Sequence, residues 1–219
     1  MQEFIVTLTI WALPVLFAIT LHEAAHGYAA RHFGDNTAAQ AGRISLNPLR
    51  HIDPMGTVIV PAVILIMSSL AGGGGTLFGW AKPVPVNFGR LRNPKADMLW
   101  VAAAGPFANL LMAIGWMLLL RLAIASPDGA YALPMAKMAD AGIQINAVLM
   151  FLNLVPLPPL DGGRIAISLL PAGLAYKFAQ IEPYGFPILL LLLFTGILGE
   201  ILGPLVAIFS FALATVFGL

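Results

Sequence analysis

Residues 4–33 read FIVTLTIWALPVLFAITLHEAAHGYAARHF. No charged residue interrupts the run from Phe4 to Leu21. As a helix rising about 1.5 Å per residue, the stretch reaches roughly 45 Å, more than a hydrocarbon core of about 30 Å. Pro14 is tolerable in such a helix as a kink. The run then carries His22, Glu23 and His26 before it ends at Phe33. An ionisable side chain at mid-bilayer costs roughly 2.5–3.5 kcal/mol or more. Three together in one lipid-embedded segment need a partner, and that need directs the reading of the rest of the chain.

The bulk composition agrees with a membrane setting. Of 219 residues, 59% are hydrophobic and 10% are charged, whereas soluble domains average about 25% charged. Mean hydropathy is +0.90. A chain this poor in polar groups cannot cover a water-soluble globule. A net charge of +1 gives no basic excess for nucleic acid. The absence of cysteine removes disulfides and thiolate ligands, so any metal must be held by His, Asp or Glu. Glu3 and the lack of Lys or Arg before Arg31 do not fit a signal-peptide n-region, so the first segment is expected to be a retained helix. A single membrane-embedded domain over 1–219 is expected.

Further along, residues 34–53 are polar and turn-rich, with Gly34-Asp35-Asn36 and Asn47-Pro48. Ala39 to Leu46 has the character of a short strand. Residues 54–71 are apolar and run into Gly72-Gly73-Gly74-Gly75. Gly79 to Asn87 alternates and carries Pro83 and Pro85, which suits an edge strand or extended segment. Long apolar helices are expected over 96–125 and 141–160. Residues 185–218 read as one broken helix or a tight hairpin. The expected fold is an all-α integral membrane protein with about five to six transmembrane or re-entrant helices. A short membrane-associated β element over about 38–47 and 79–88 completes it.

His22-Glu23-Ala24-Ala25-His26 places two imidazoles at i and i+4, one turn apart on one helix face, where they can share a metal. Glu23 beside them suits a general base toward an activated water. The same five residues arise by chance on soluble amphipathic helices, but the lipid setting argues against an inert role here. Zinc takes four ligands, and a catalytic site leaves one position open, so a third protein ligand is needed. Asp161 is the best candidate. It follows Pro156-Leu157-Pro158-Pro159-Leu160 and precedes Gly162-Gly163, a break that lets a carboxylate turn inward. The plainer alternative is that it caps a short helix starting at Gly162, and the two roles are not exclusive. His51 and Glu200 are the alternatives, and His32 reads as interfacial.

Topology tests the pairing. If every apolar segment crossed the membrane in turn, the end of the first helix and Asp161 would face opposite sides. The conflict disappears if 54–95 enters and leaves on one side. That arrangement gathers Arg31, Arg43, Arg50, Lys82, Arg90, Arg92, Lys95, Arg164 and Lys177 on one face, leaving Arg121 and Lys137 on the other. Strict alternation divides them almost evenly. The positive-inside rule then puts the basic face and the metal site toward the cytosol, with the N-terminus outside.

Three motifs, His22 to His26, Gly105-Pro106-Phe107-Ala108-Asn109 and Asn153 to Gly163, stand in the order found in the site-2 protease family, which this chain resembles over nearly its whole length. The resemblance implies regulated intramembrane proteolysis of a transmembrane protein or peptide in a lipid bilayer, the cytoplasmic membrane of a prokaryote being the expected location. It implies one catalytic zinc ion on His22, His26 and Asp161, with Glu23 as the base. It makes Asn153 a candidate for holding substrate or steadying the oxyanion. Asn109 would either line the cleft or make a helix-packing hydrogen bond. The segment from Trp80 to Asn87, with Val84 and Val86, resembles the family's edge element and would pair with an unwound substrate by strand addition. A compact form without PDZ or CBS domains is expected. Two rivals are a metal transporter, which needs polar residues continuing across the bilayer, and a pseudoprotease scaffold, which has no use for Glu23.

Overall fold

A computed structural model describes residues 2–60, 63, 81–127 and 129–219. The first helix, α1, spans Gln2–His32 and contains Pro14. A single turn, α2, follows at Thr37–Gln40. Two 3-10 turns, Pro48–Arg50 and Phe88–Arg90, and a π-helical turn at Pro54–Ile59 shape the next stretch. The chain continues as α3 (Pro94–Ala125), α4 (Ala132–Leu154) and α5 (Asp161–Leu169). It ends in α6 (Ala172–Ala179), α7 (Glu182–Phe194) and α8 (Ile197–Val216). Among the described residues, α1, α3, α4 and α8 are each long and apolar enough to cross a membrane, and α6 with α7 makes a further pair bent by 60°. The protein is an all-α membrane protein.

Side-chain size is distributed as lipid requires. Large apolar groups such as Leu8, Phe107, Ile208 and Phe211 face outward, while Ala18, Ala30, Ala113, Ala139 and Ala147 are fully buried. Lipid tails are as apolar as leucine, so helices gain by close approach through small residues rather than by burying bulk. Gly142 illustrates this: a Cβ there would collide with the Trp116 ring, so α4 can press on α3 only with glycine. Central to the bundle is α3, which packs on α1, α4 and α5. Pro94 opens it at a position where no N–H is needed, and Asp97 accepts the Asn93 N–H at 2.7 Å.

The chain leaves α1 at Phe33 and returns there, since the Arg92 N–H donates to the Phe33 carbonyl at 2.9 Å. Arg92 also donates from its guanidinium to the His32 carbonyl. The stretch between thus starts and finishes at one end of α1. The glycine run and the path of 64–80 lie outside the described residues.

One expectation changes, and one left open is narrowed. The β element expected over 38–47 and 79–88 does not form a ladder between 38–47 and 81–88, for no strand occurs among the described residues. Residues 37–40 wind into α2, while 81–87 runs extended. The physical reason lies in where the donors go. Pro83 and Pro85 have none, Val84 and Asn87 give theirs to the carboxylates of Glu23 and Asp35, and Lys82 gives its own to the His51 carbonyl. The region 185–218 resolves into two helices. Gly196 at φ 80° separates them, and Leu189 packs with Leu198 and Leu202 in one buried cluster. A left-handed φ of this kind favours glycine.

Candidate metal centre

The two histidines project from α1 toward α3, and Gly105 makes that possible. A Cβ at Gly105 would overlap ring atoms of both His22 and His26. Each ring is then fixed by its Nδ1. His26 Nδ1–H donates to the Val101 carbonyl at 2.7 Å. His22 Nδ1–H donates to Asn109 Oδ1 at 2.6 Å. The Asn109 amide in turn donates to Asn146 Oδ1 at 2.9 Å and to the Ala18 carbonyl at 3.3 Å, and Asn146 donates to the Gly142 carbonyl at 2.8 Å. Asn109 and Asn146 are fully buried. This relay sets the tautomer of both rings, leaving the two Nε2 lone pairs directed at one point.

Asp161 arrives from the other side. It is the first residue of α5, the preceding N-cap position is Leu160, and no side chain caps this helix. The capping role open to Asp161 from sequence is therefore not taken up. Gly162 and Gly163 allow the approach, since a Cβ on either would strike the backbone of Leu154 to Pro158. Asp161 Oδ2 lies 3.3 Å from His22 Nε2 and 3.3 Å from His26 Nε2, and the two nitrogens are 3.1 Å apart.

These three atoms are all acceptors. Both imidazole protons are engaged at Nδ1, and Asp161 Oδ2 is buried without a hydrogen-bond donor. Three converging lone pairs in a buried place repel one another unless a cation sits among them. The spacing fits such an ion. Tetrahedral zinc with bonds of about 2.0 Å to N and O has ligand atoms about 3.3 Å apart. Among the described residues, His22, His26 and Asp161 form the one group of three or more such donors placed to hold a metal.

The other candidates fall as follows. Glu23 is half-buried, and its Oε2 accepts the Val84 N–H at 2.7 Å. Gly27 lets the extended segment come this close, since a Cβ there would crowd Ile44 and Val84. Val84 is buried, and Val86 packs on the cluster of Ala30, Leu91, Met98 and Val101. Trp80 lies outside the described residues. Asn153 is half-buried near the end of α4 and donates its amide to the Leu149 carbonyl of its own helix. His32 and Glu200 are exposed, and His51 is buried at 2% exposure. The sequence reading missed Asn146, Asp35 and the Val101 carbonyl. A buried asparagine in an apolar helix was the available signal for Asn146.

Relatives decide the family. The chain is 38% identical over 196 residues to YwhC of Bacillus subtilis, covering 88% of this chain and 84% of that one. It is 32% identical over 199 residues to Rip2 of Mycolicibacterium smegmatis, covering 90% and 70%. Both names describe a zinc metalloprotease. The chain belongs to the site-2 protease family. Rip2 of Mycobacterium tuberculosis is 34% identical over 148 residues, covering 67% of this chain and 52% of that one. No family model and no solved structure matches the chain. This site-2 protease is a zinc metalloprotease and a hydrolase of peptide bonds.

Proposed function

We propose that the protein is an intramembrane protease, hydrolysing peptide bonds within transmembrane segments of membrane-protein substrates in regulated intramembrane proteolysis. The observation that carries this reading is the acceptor triangle of His22, His26 and Asp161, two of whose members lie on a membrane-spanning helix, several turns from its start. A substrate reaching such a centre is itself in the bilayer.

In this reading His22, His26 and Asp161 hold the zinc, and 1–219 acts as one catalytic domain. Zinc, once bound, supplies a Lewis acid for the attacking water and the scissile carbonyl. Glu23 takes a proton from the water and returns it to the leaving nitrogen. The Val84 N–H holds the Glu23 carboxylate in place for both transfers. Asn153 holds the substrate or steadies the oxyanion, and an unwound substrate pairs with the segment of Val84 and Val86, with Trp80 a further residue assigned to substrate binding. Asn109 serves through His22, to which it is hydrogen-bonded. The basic face lies in the cytoplasm and the N-terminus outside, as the distribution of Lys and Arg suggests.

The test is cleavage in liposomes of a model transmembrane segment, set beside a soluble peptide of equal length. Wild type should cut the first, and Glu23→Gln should retain zinc while losing at least a hundred-fold in rate, about the smallest contribution of a general base. Cleavage of the soluble peptide alone would sink the intramembrane assignment, and full activity of Glu23→Gln would remove Glu23 as the base.

A further inference from the structure

A second group of unsatisfied polar atoms lies one helical turn before Glu23. Thr20 is 2% exposed, and its Oγ1 has no hydrogen-bond partner. Threonines inside helices normally donate to the carbonyl one turn back, as Thr195 does to Leu191 and Thr215 to Phe211 in this protein. Thr20 forgoes that bond. His51 is also 2% exposed. Its Nε2–H donates to the Ser45 carbonyl at 2.9 Å, leaving Nδ1 as an acceptor, and Nδ1 has no partner either. A buried donor and a buried acceptor left unmade are costly, and native structures rarely keep such pairs without a mediator.

Both residues line the same small cavity, together with Leu16, Ile19, Ile52 and Ala81. Its volume of about 20 Å³ suffices for one water, which needs roughly 10–15 Å³ or more. Among the described residues no charged side chain lines it, so an ion finds nothing there to neutralise it. Two of the elements that border the cavity also carry groups of the proposed catalytic centre. Thr20 precedes Glu23 on α1 by three residues, about 4.5 Å along the axis. Ala81 lies on the extended segment whose Val84 N–H binds Glu23.

We propose that this cavity binds an ordered water, accepting from Thr20 Oγ1–H and donating to His51 Nδ1, and that it is the entry station for the water consumed in hydrolysis. The second half rests on the proteolytic reading above. Thr20 and His51 are positioning residues: they touch the waiting water, not the substrate.

Hydroxyl-radical footprinting tests the site. Brief X-ray radiolysis turns bound water into radicals that oxidise adjoining side chains, read by mass spectrometry on the zinc-loaded protein in lipid nanodiscs. With a bulk radical scavenger present, wild type should carry label on Leu16 and Ile52. Thr20→Val, which keeps shape and removes the hydroxyl, should lose it at least five-fold, and Thr20→Ser should keep it. Absence of label in wild type, or label undiminished in Thr20→Val, overturns the water site. Failure of Thr20→Val to fold leaves the wild-type and Thr20→Ser arms to decide. For delivery, Thr20→Val should lower kcat roughly five-fold at unchanged KM, the fold-change of one ordinary hydrogen bond. An unchanged kcat refutes delivery. Label in a wild type that cuts no transmembrane segment would retain the water site and discard the proteolytic reading instead.

Discussion

The main-chain N–H of Val84 donates to Glu23 Oε2 at 2.7 Å, across 61 positions of sequence. Pro83 and Pro85 flank it, so this is the donor the extended segment has available at that height. Val84→Pro removes the N–H while the extended backbone accepts the ring. We expect kcat to fall roughly ten-fold, as for loss of a hydrogen bond to a charged group. Zinc content should hold, and Val84→Ile, which keeps the N–H, should retain the wild-type kcat. A Val84→Pro enzyme with unaltered kcat would show that Glu23 needs no such support.

Asn109 is the link between His22 and the buried amide of Asn146. Asn109→Ala frees the His22 ring to rotate and to change tautomer. Loss of such an outer partner typically weakens metal affinity about 10- to 100-fold. Competition against a zinc chelator measures the change directly. Affinity equal to wild type would separate Asn109 from the metal site.

Gly105→Ala sets local propensity against the site. Alanine favours a helix over glycine by roughly 1 kcal/mol. The new Cβ would nevertheless overlap both imidazoles. The expected outcome is a helix formed as before with zinc affinity at least ten-fold weaker. Metal analysis of the purified protein after dialysis provides the check, and full retention of zinc would refute the steric argument.

Asp35 gives a pH signature. It is fully buried just beyond α1. Burial pushes its carboxyl up, but the Thr37 hydroxyl, the N–H groups of Asn87 and Thr37, and the nearby Arg90 more than offset this and hold it below 3.8. A lowered folded-state value means the unfolded chain binds the proton more readily. The stabilisation is therefore complete above about pH 4 and drains away as pH falls below it. Asp35→Asn should lower Tm near neutrality and flatten its decline on the acid side. Tryptophan-fluorescence melts across pH 3–7 would reveal this. A parallel decline in both proteins would show that Asp35 does not titrate with folding.

How much of this was legible depended on whether partners share an element. His22 and His26 share a helix, so their spacing alone put them on one face. Asp161 could be named as a candidate because a proline-rich break and two glycines let a carboxylate turn inward, and the charge distribution agreed with a topology that brings it near them. The partners of His22 were harder. Asn109 lies on α3 and Asn146 on α4, and only helix packing aligns the two amides. The misread β element has a similar cause. Alternation from Trp80 to Asn87 resembles a strand, but periodicity cannot say that the acceptors would be Glu23 and Asp35 rather than a neighbouring strand. Gly105 was visible as part of a motif, yet its purpose appears only when two rings occupy the place of its missing Cβ.

The three metal-facing side chains are dispersed along the chain, with Asp161 far downstream of His26 and dependent on the turn at Leu154 to Pro158 for its direction. During synthesis the first two emerge early and the third late, after the residues of α3 and α4. A nascent chain that stops short of residue 161 holds two imidazoles and no carboxylate to complete the set. On the proposed ligand set, the metal site stays incomplete until most of the chain has been made, so a product truncated before Asp161 is expected to be inactive.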